Sequence, residues 1–136
     1  MALMVKGQLY SGVLPPLGAT KAYIVVLKKY LSEPYELRDR TVLIGELVDV
    51  ERLTGFGPTK DPNLPLSELK GKSLKFILRL GLLGEYDELY ISKDSWPLLR
   101  DYGILPGEYL LTVKITKAIV DNKEIEIYPK RDITHP

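Results

Sequence analysis

The chain has 136 residues, 45% hydrophobic and 27% charged, with a net charge of +1. That length suits a single domain able to bury a core without staples, and near neutrality lacks the global basicity that usually accompanies duplex binding. The sequence has no cysteine, no signal peptide and no apolar run long enough to cross a bilayer, so a disulfide scaffold, thiolate chemistry and a membrane helix are excluded and a cytoplasmic protein is expected.

Side-chain amides are confined to Gln8, Asn63 and Asn122, whereas Lys, Glu, Ile and Leu abound, a balance that leans toward a thermophilic source. Residues 1–40 hold six basic and three acidic groups, 41–71 three and five, and 72–136 ten and ten, so the basic end is the N-terminal one.

In chain order, MVKGQLY from Met4 reads as an edge strand and residues 11–19 as a Pro/Gly loop. KAYIVVLKKYL from Lys21 satisfies two patterns. Tyr23, Val26, Leu27 and Tyr30 fall at helical spacing, while Ile24, Val25 and Val26 favour a strand; the reading taken is a helix ending before Pro34. TVLIGELVDVERL from Thr41 is a long strand, with Val42 and Ile44 facing inward before Gly45 and Val48 and Val50 facing inward after it. The interior glycine marks a bulge or bend where a small sheet curls. The loop 54–71, opening on Thr54 and closing on Gly71, has the length of a functional segment and carries Phe56 and Lys60. Residues 72–83 form the next strand, with Leu74, Phe76, Leu78 and Leu80 on one face and Lys75, Ile77 and Arg79 on the other.

The stretch 89–128 has the clearest grammar. Leu89 and Ile91 alternate with Tyr90 and Ser92 as in a half-buried strand, and Asp94 or Ser95 caps a short helix whose first turn accommodates Pro97. Gly103 stops the helix, and Ile104 folds back on it. After the Pro106-Gly107 turn, Tyr109, Leu111, Val113 and Ile115 face one way. Asp121-Asn122 is a two-residue hairpin, and Ile125 and Ile127 line the returning strand. Two stretches, about 22–50 and 89–119, share a strand-helix-strand plan without the identity of a true repeat.

Catalytic chemistry finds no candidate in this chain. The single histidine, His135, lies one residue from the C-terminus, no carboxylate pair sits at a motif spacing, and there is no P-loop or dinucleotide fingerprint. A non-enzymatic protein without a cofactor is expected.

From Thr41 onward the order is strand, strand, strand, short helix, strand, strand, carried by Gly45 in VLIGELVDV, the helix 96–102, LPGEYLLTVKI and the closing KEIEIY. Over residues 41–129 this resembles an OB-fold, the five-stranded Greek-key barrel of single-stranded nucleic-acid binders such as replication protein A and archaeal single-stranded-DNA-binding proteins. The resemblance implies a mainly β, five-stranded barrel with one short helix between strands three and four. It also implies one domain over 1–136: an N-terminal strand/helix addition (1–40) packed on or capping the barrel, the barrel itself (41–130) and a tail (131–136). An archaeal source fits the same resemblance.

In that family the binding surface is the outer face of strands two and three with the adjoining loops. Carried over, it holds Lys72, Lys75, Ile77, Arg79, Tyr90, Lys93, Phe56 and Lys60, with aromatic faces stacking bases and cations following phosphates of single-stranded DNA or RNA. Phe76 reads as core and Trp96 as a lid over the barrel's open end, while Glu46, Asp49 and Glu51 place acids on the first strand. A protein-assembly module contacting its partner through the loop 54–71 is the alternative use of such a barrel.

YISKDSWPLLRDYGILPGEYLLTVKI is also similar to the strand-helix-turn-strand signature of AbrB-type cradle-loop barrels, which include dimeric DNA-binding regulators; there Arg100 holds the basic helix position. The same superfamily contains archaeal CTP-dependent riboflavin kinases, and Gly7-x-x-x-Ser11-Gly12 is similar to their N-terminal motif. Val13-Leu14-Pro15-Pro16 replaces the Gly-x-Gly that should follow, and no Gly-Thr-Leu-Asn motif is present.

Overall fold

Period-two burial organises the protein. Tyr109, Leu111, Val113 and Ile115 are buried in turn along a strand whose intervening residues are only partly covered. The computed structural model describes residues 3–53 and 66–128. Within them lie strands β1 (Leu3–Gln8), β2 (Tyr10–Ser11), β3 (Ala19–Leu27), β4 (Val42–Arg52), β5 (Ser73–Arg79), β6 (Tyr86–Ser92), β7 (Tyr109–Val120) and β8 (Lys123–Glu126), and one helix, α1 (Trp96–Arg100). Short 3-10 turns occupy Lys28–Tyr30 and Leu66–Glu68.

All pairings are antiparallel, in the order β1-β7-β4-β5-β6-β3-β2, with β8 beside β7. The result is a curled, barrel-like sheet. Residues 3–11 act as one bent strand: β1 pairs with β7, Leu9 continues through its amide to the Tyr109 carbonyl at 2.9 Å, and β2 pairs with β3. The two ends of the curl are thereby bridged by a single segment. At the crossing, Gly7 approaches β3 closely; a Cβ there would lie 3.6 Å from that of Ile24.

The pairing relates the two similar stretches. β3 pairs with β6, and β4 pairs with β7. The bent strand 3–11 touches β7 and β3, just as β5 touches β4 and β6. Within the N-terminal segment, β1, β2 and β3 are strands of the same sheet, and β3 lies beside β6, where an OB barrel would place its last strand.

Two local readings are corrected. Residues 21–31 are not a helix: β3 runs to Leu27, with Ala22, Ile24 and Val26 buried. The β-branched run and the ladder offered by β6 outweigh the helical spacing, because Tyr23 and Val26 then point to opposite faces. On β4 Leu43 and Leu47 face inward, whereas Val42 and Ile44 face outward. Thr116 is the extra residue opposite the Ile44–Gly45 step, and Val48 is the extra residue between Leu47 and Asp49; the second bulge returns Val50 to the core. Gly45 is required where it stands, since a Cβ would lie 2.8 Å from the Lys114 carbonyl oxygen.

The 89–128 grammar is found at the helix stop and the hairpin, but not at the helix start. Gly103 has φ +77°, its amide donates to Arg100 at 2.9 Å, and the buried Ile104 donates to Leu99 at 3.1 Å, closing α1 in a Schellman arrangement. Ser95 precedes the helix without capping it; its hydroxyl accepts the Lys75 amide at 2.8 Å and ties the helix start to β5. Asp121 and Asn122, at φ +50° and +63°, make the β7–β8 turn. Trp96 packs half-buried against the core.

A buried polar network centres on Asp87. Asp87, 0% exposed, accepts from the Lys28 ammonium, the Ser32 hydroxyl and, at 2.9 Å, the Gly81 amide. It joins the end of β6 to the turn that follows β3.

Candidate nucleic-acid interface

The outer face of β5, β6, β3 and β2 carries a row set by register. Tyr10 pairs with Tyr23, Tyr23 with Tyr90, and Tyr90 with Ile77. Because cross-strand neighbours share a face, the three phenols form a ladder, with ring centroids 5.6 Å apart for Tyr10–Tyr23 and 4.9 Å for Tyr23–Tyr90, each pair tilted by 36°. The Arg79 guanidinium stands over the Tyr90 ring at 5.6 Å. Across from Arg79 lies Glu88, whose carboxylate accepts from the Tyr90 hydroxyl at 3.4 Å.

Cations gather at one end of the ladder. Ser92 pairs with Ala19, the Lys93 amide donates to the Gly18 carbonyl at 3.0 Å, and the Lys75 amide is held by Ser95. These links bring together the ends of β3, β5 and β6 that carry Lys21, Lys75 and Lys93, with Lys72 one residue before β5, and all four lysines are exposed. Among the described residues none of the four makes an ion pair. Asp94 is the exposed acid beside them, whereas Glu46 is engaged with Lys114 at 3.9 Å and Asp49 with Lys70 at 3.8 Å.

Of the residues expected at the interface, Lys72, Lys75, Ile77, Arg79, Tyr90 and Lys93 do share this region. Phe56 and Lys60, with most of the loop proposed for protein contact, lie outside the described residues. Tyr90 differs from expectation: it is 2% exposed, and with Ala19 and Ile77 it forms a small apolar cluster on the far side of the sheet from the main core. Residues 12–18 cover it. The exposed aromatic surface is instead Tyr10, 40% exposed, with Tyr23 half-buried beside it.

Electrostatics agree with this layering. Burial, reinforced by Glu88, holds the Tyr23 phenol above its ordinary 10.0. Tyr90 is likewise raised by burial and Glu88, partly offset by Arg79.

Tyr10, Tyr23, Lys21 and the covering segment were not singled out by the sequence. Treating 21–31 as a helix hid Tyr23; reading that stretch as a strand would have placed it opposite Tyr90. What the arrangement can do is hold anions and present planar apolar faces. Among the described residues no group of three or more His, Cys, Asp and Glu could hold a metal ion, and no helix is long and apolar enough to cross a membrane. No family model matches the chain, and neither a curated protein nor a solved structure matches it.

Proposed function

We propose that this protein binds single-stranded nucleic acid on the outer face of β2, β3, β6 and β5. The observation that carries the reading is the corner of four exposed lysines, Lys21, Lys72, Lys75 and Lys93, next to the Tyr10–Tyr23 ladder. The cations follow the phosphates, and the phenol rings supply faces on which bases stack without regard to sequence. This keeps the cation set implied by the OB resemblance and moves the open stacking surface from Tyr90 to Tyr10 and Tyr23. Fluorescence anisotropy with a labelled oligothymidine tests it. Reversing Lys75 and Lys93 to glutamate weakens binding by about tenfold or more, and Tyr10→Ala by about fivefold. Absence of binding at low salt, or indifference to both changes, removes the proposal.

A second reading, a dimeric duplex-binding regulator of the AbrB-like cradle-loop kind, is favoured by the pairing of β3–β4 with β6–β7, which gives the barrel two related halves. It predicts a dimer in sedimentation and tighter binding to duplex than to single strands; a monomer preferring single strands dismisses it.

A further inference from the structure

Residues 12–18, the connection from β2 to β3, lie as a strap across Tyr90 and Ile77. Gly12 sits so close that a Cβ would come within 2.9 Å of the Tyr90 ring carbon Cε2, and a Cβ on Gly18 would lie 3.4 Å from the Ile77 methyl. The strap is held through backbone and by Pro16, whose ring is buried. The Gly12 amide donates to Lys21 at 2.6 Å, the Gly18 carbonyl accepts from Lys93, and the Leu14 carbonyl accepts from the Arg79 guanidinium. Its larger apolar side chains contribute almost nothing to closure: Val13, Leu14 and Leu17 are 85%, 73% and 84% exposed.

Two of the contacts the strap makes on this face have a counterpart in a nucleotide. Its backbone lies against the hydroxyl end of the Tyr90 ring, which an incoming base could contact once the strap lifts, and its Leu14 carbonyl occupies an arginine that a phosphate would hold more strongly, being a charged acceptor. We infer that residues 12–18 are a displaceable stand-in for one nucleotide, and that Tyr90 with Arg79 forms a further base-and-phosphate subsite for single-stranded nucleic acid, opened when the strap lifts. The inference rests on the proposed function and extends the Tyr10–Tyr23 surface by one ring.

The experiment compares four proteins in oligothymidine anisotropy at low salt: the native chain, Gly12→Ala, Tyr90→Leu and the double variant. Gly12→Ala adds the Cβ that the closed strap cannot accommodate, so it tightens binding by about fivefold or more, the effect of one added stacked base. Tyr90→Leu cancels that gain. A variant with residues 13–17 replaced by Asn-Gly, keeping the β2–β3 hairpin, gives the same gain and serves if Gly12→Ala fails to fold. Affinity unchanged by both strap variants, or a gain that survives Tyr90→Leu, overturns the subsite. If the native chain binds through Lys75 and Lys93 yet ignores the strap, only this inference falls; if neither the native chain nor a strap variant binds, the proposed function falls with it.

Discussion

Replacing Asp87 by alanine removes the acceptor at the centre of the buried network and leaves three donors facing each other. The Lys28 side chain is 19% exposed, Ser32 is buried, and the Gly81 amide loses its partner at 2.9 Å. Breaking a buried pair by deleting one partner costs about 3–5 kcal/mol, because the remaining charge stays in a low dielectric. Lys28 keeps some access to water, which places the expected loss near the lower end, about 3 kcal/mol. With an unfolding entropy of about 2.1 cal/mol/K per residue, each kcal/mol lowers the midpoint of a chain this size by about 3.5 °C, so the variant melts about 10 °C below the native protein. Urea unfolding followed by far-UV circular dichroism measures the same loss at 25 °C. Lys28→Met completes a double-mutant cycle; because the methionine removes the stranded ammonium, the double variant loses less than the sum of the two single changes. A loss below about 1 kcal/mol, or strict additivity with Lys28→Met, would refute the claim that this network joins β6 to the turn after β3.

Gly45→Ala forces β4 away from the Lys114 carbonyl, which a Cβ would meet at 2.8 Å; a loss of about 1–3 kcal/mol is expected by chemical denaturation, and a neutral substitution contradicts the close approach. Tyr23 and Tyr90 are raised above 10.0, chiefly by burial, so unfolded tyrosines release their protons at lower pH than these folded ones. Their contribution is complete below pH 10 and is lost as pH rises through the folded values, giving a thermal midpoint that declines above pH 10; Tyr23→Phe flattens the decline, and an equally steep decline in that variant counts against the burial assignment.

How far the sequence could be read depended on whether its signals were local. The alternation on β7, the Gly103 stop with Ile104, and the Asp121-Asn122 turn are each decided by neighbours a few residues away, and each is found. β3 was misread because KAYIVVLKKYL meets the helical and strand periods at once, and the deciding ladder comes from β6, some seventy residues later. The facing of β4 was hidden because VLIGELV is apolar on both faces; the outer residues Val42 and Ile44 pair with Ile77 and Lys75, and only the bulges settle which set turns inward. Lys75 and Arg79 were legible as alternating residues on one strand, whereas Lys21 was not, because it lies on β3. The burial of Tyr90 was not, since it depends on Gly12 returning across a sheet whose N-terminal half had been set outside the barrel.

The central claim is that an exposed lysine corner follows a nucleic-acid backbone. The most direct measurement is the salt dependence of oligothymidine affinity between about 50 and 200 mM. For single strands each neutralised phosphate contributes about −0.7 to the slope of log affinity against log salt concentration. Engagement of three to four of Lys21, Lys72, Lys75 and Lys93 therefore predicts a slope of about −2 to −3, and replacing Lys75 and Lys93 by glutamine makes it shallower by about 1.4. A slope near zero, or one that the double substitution leaves unchanged, would contradict the account.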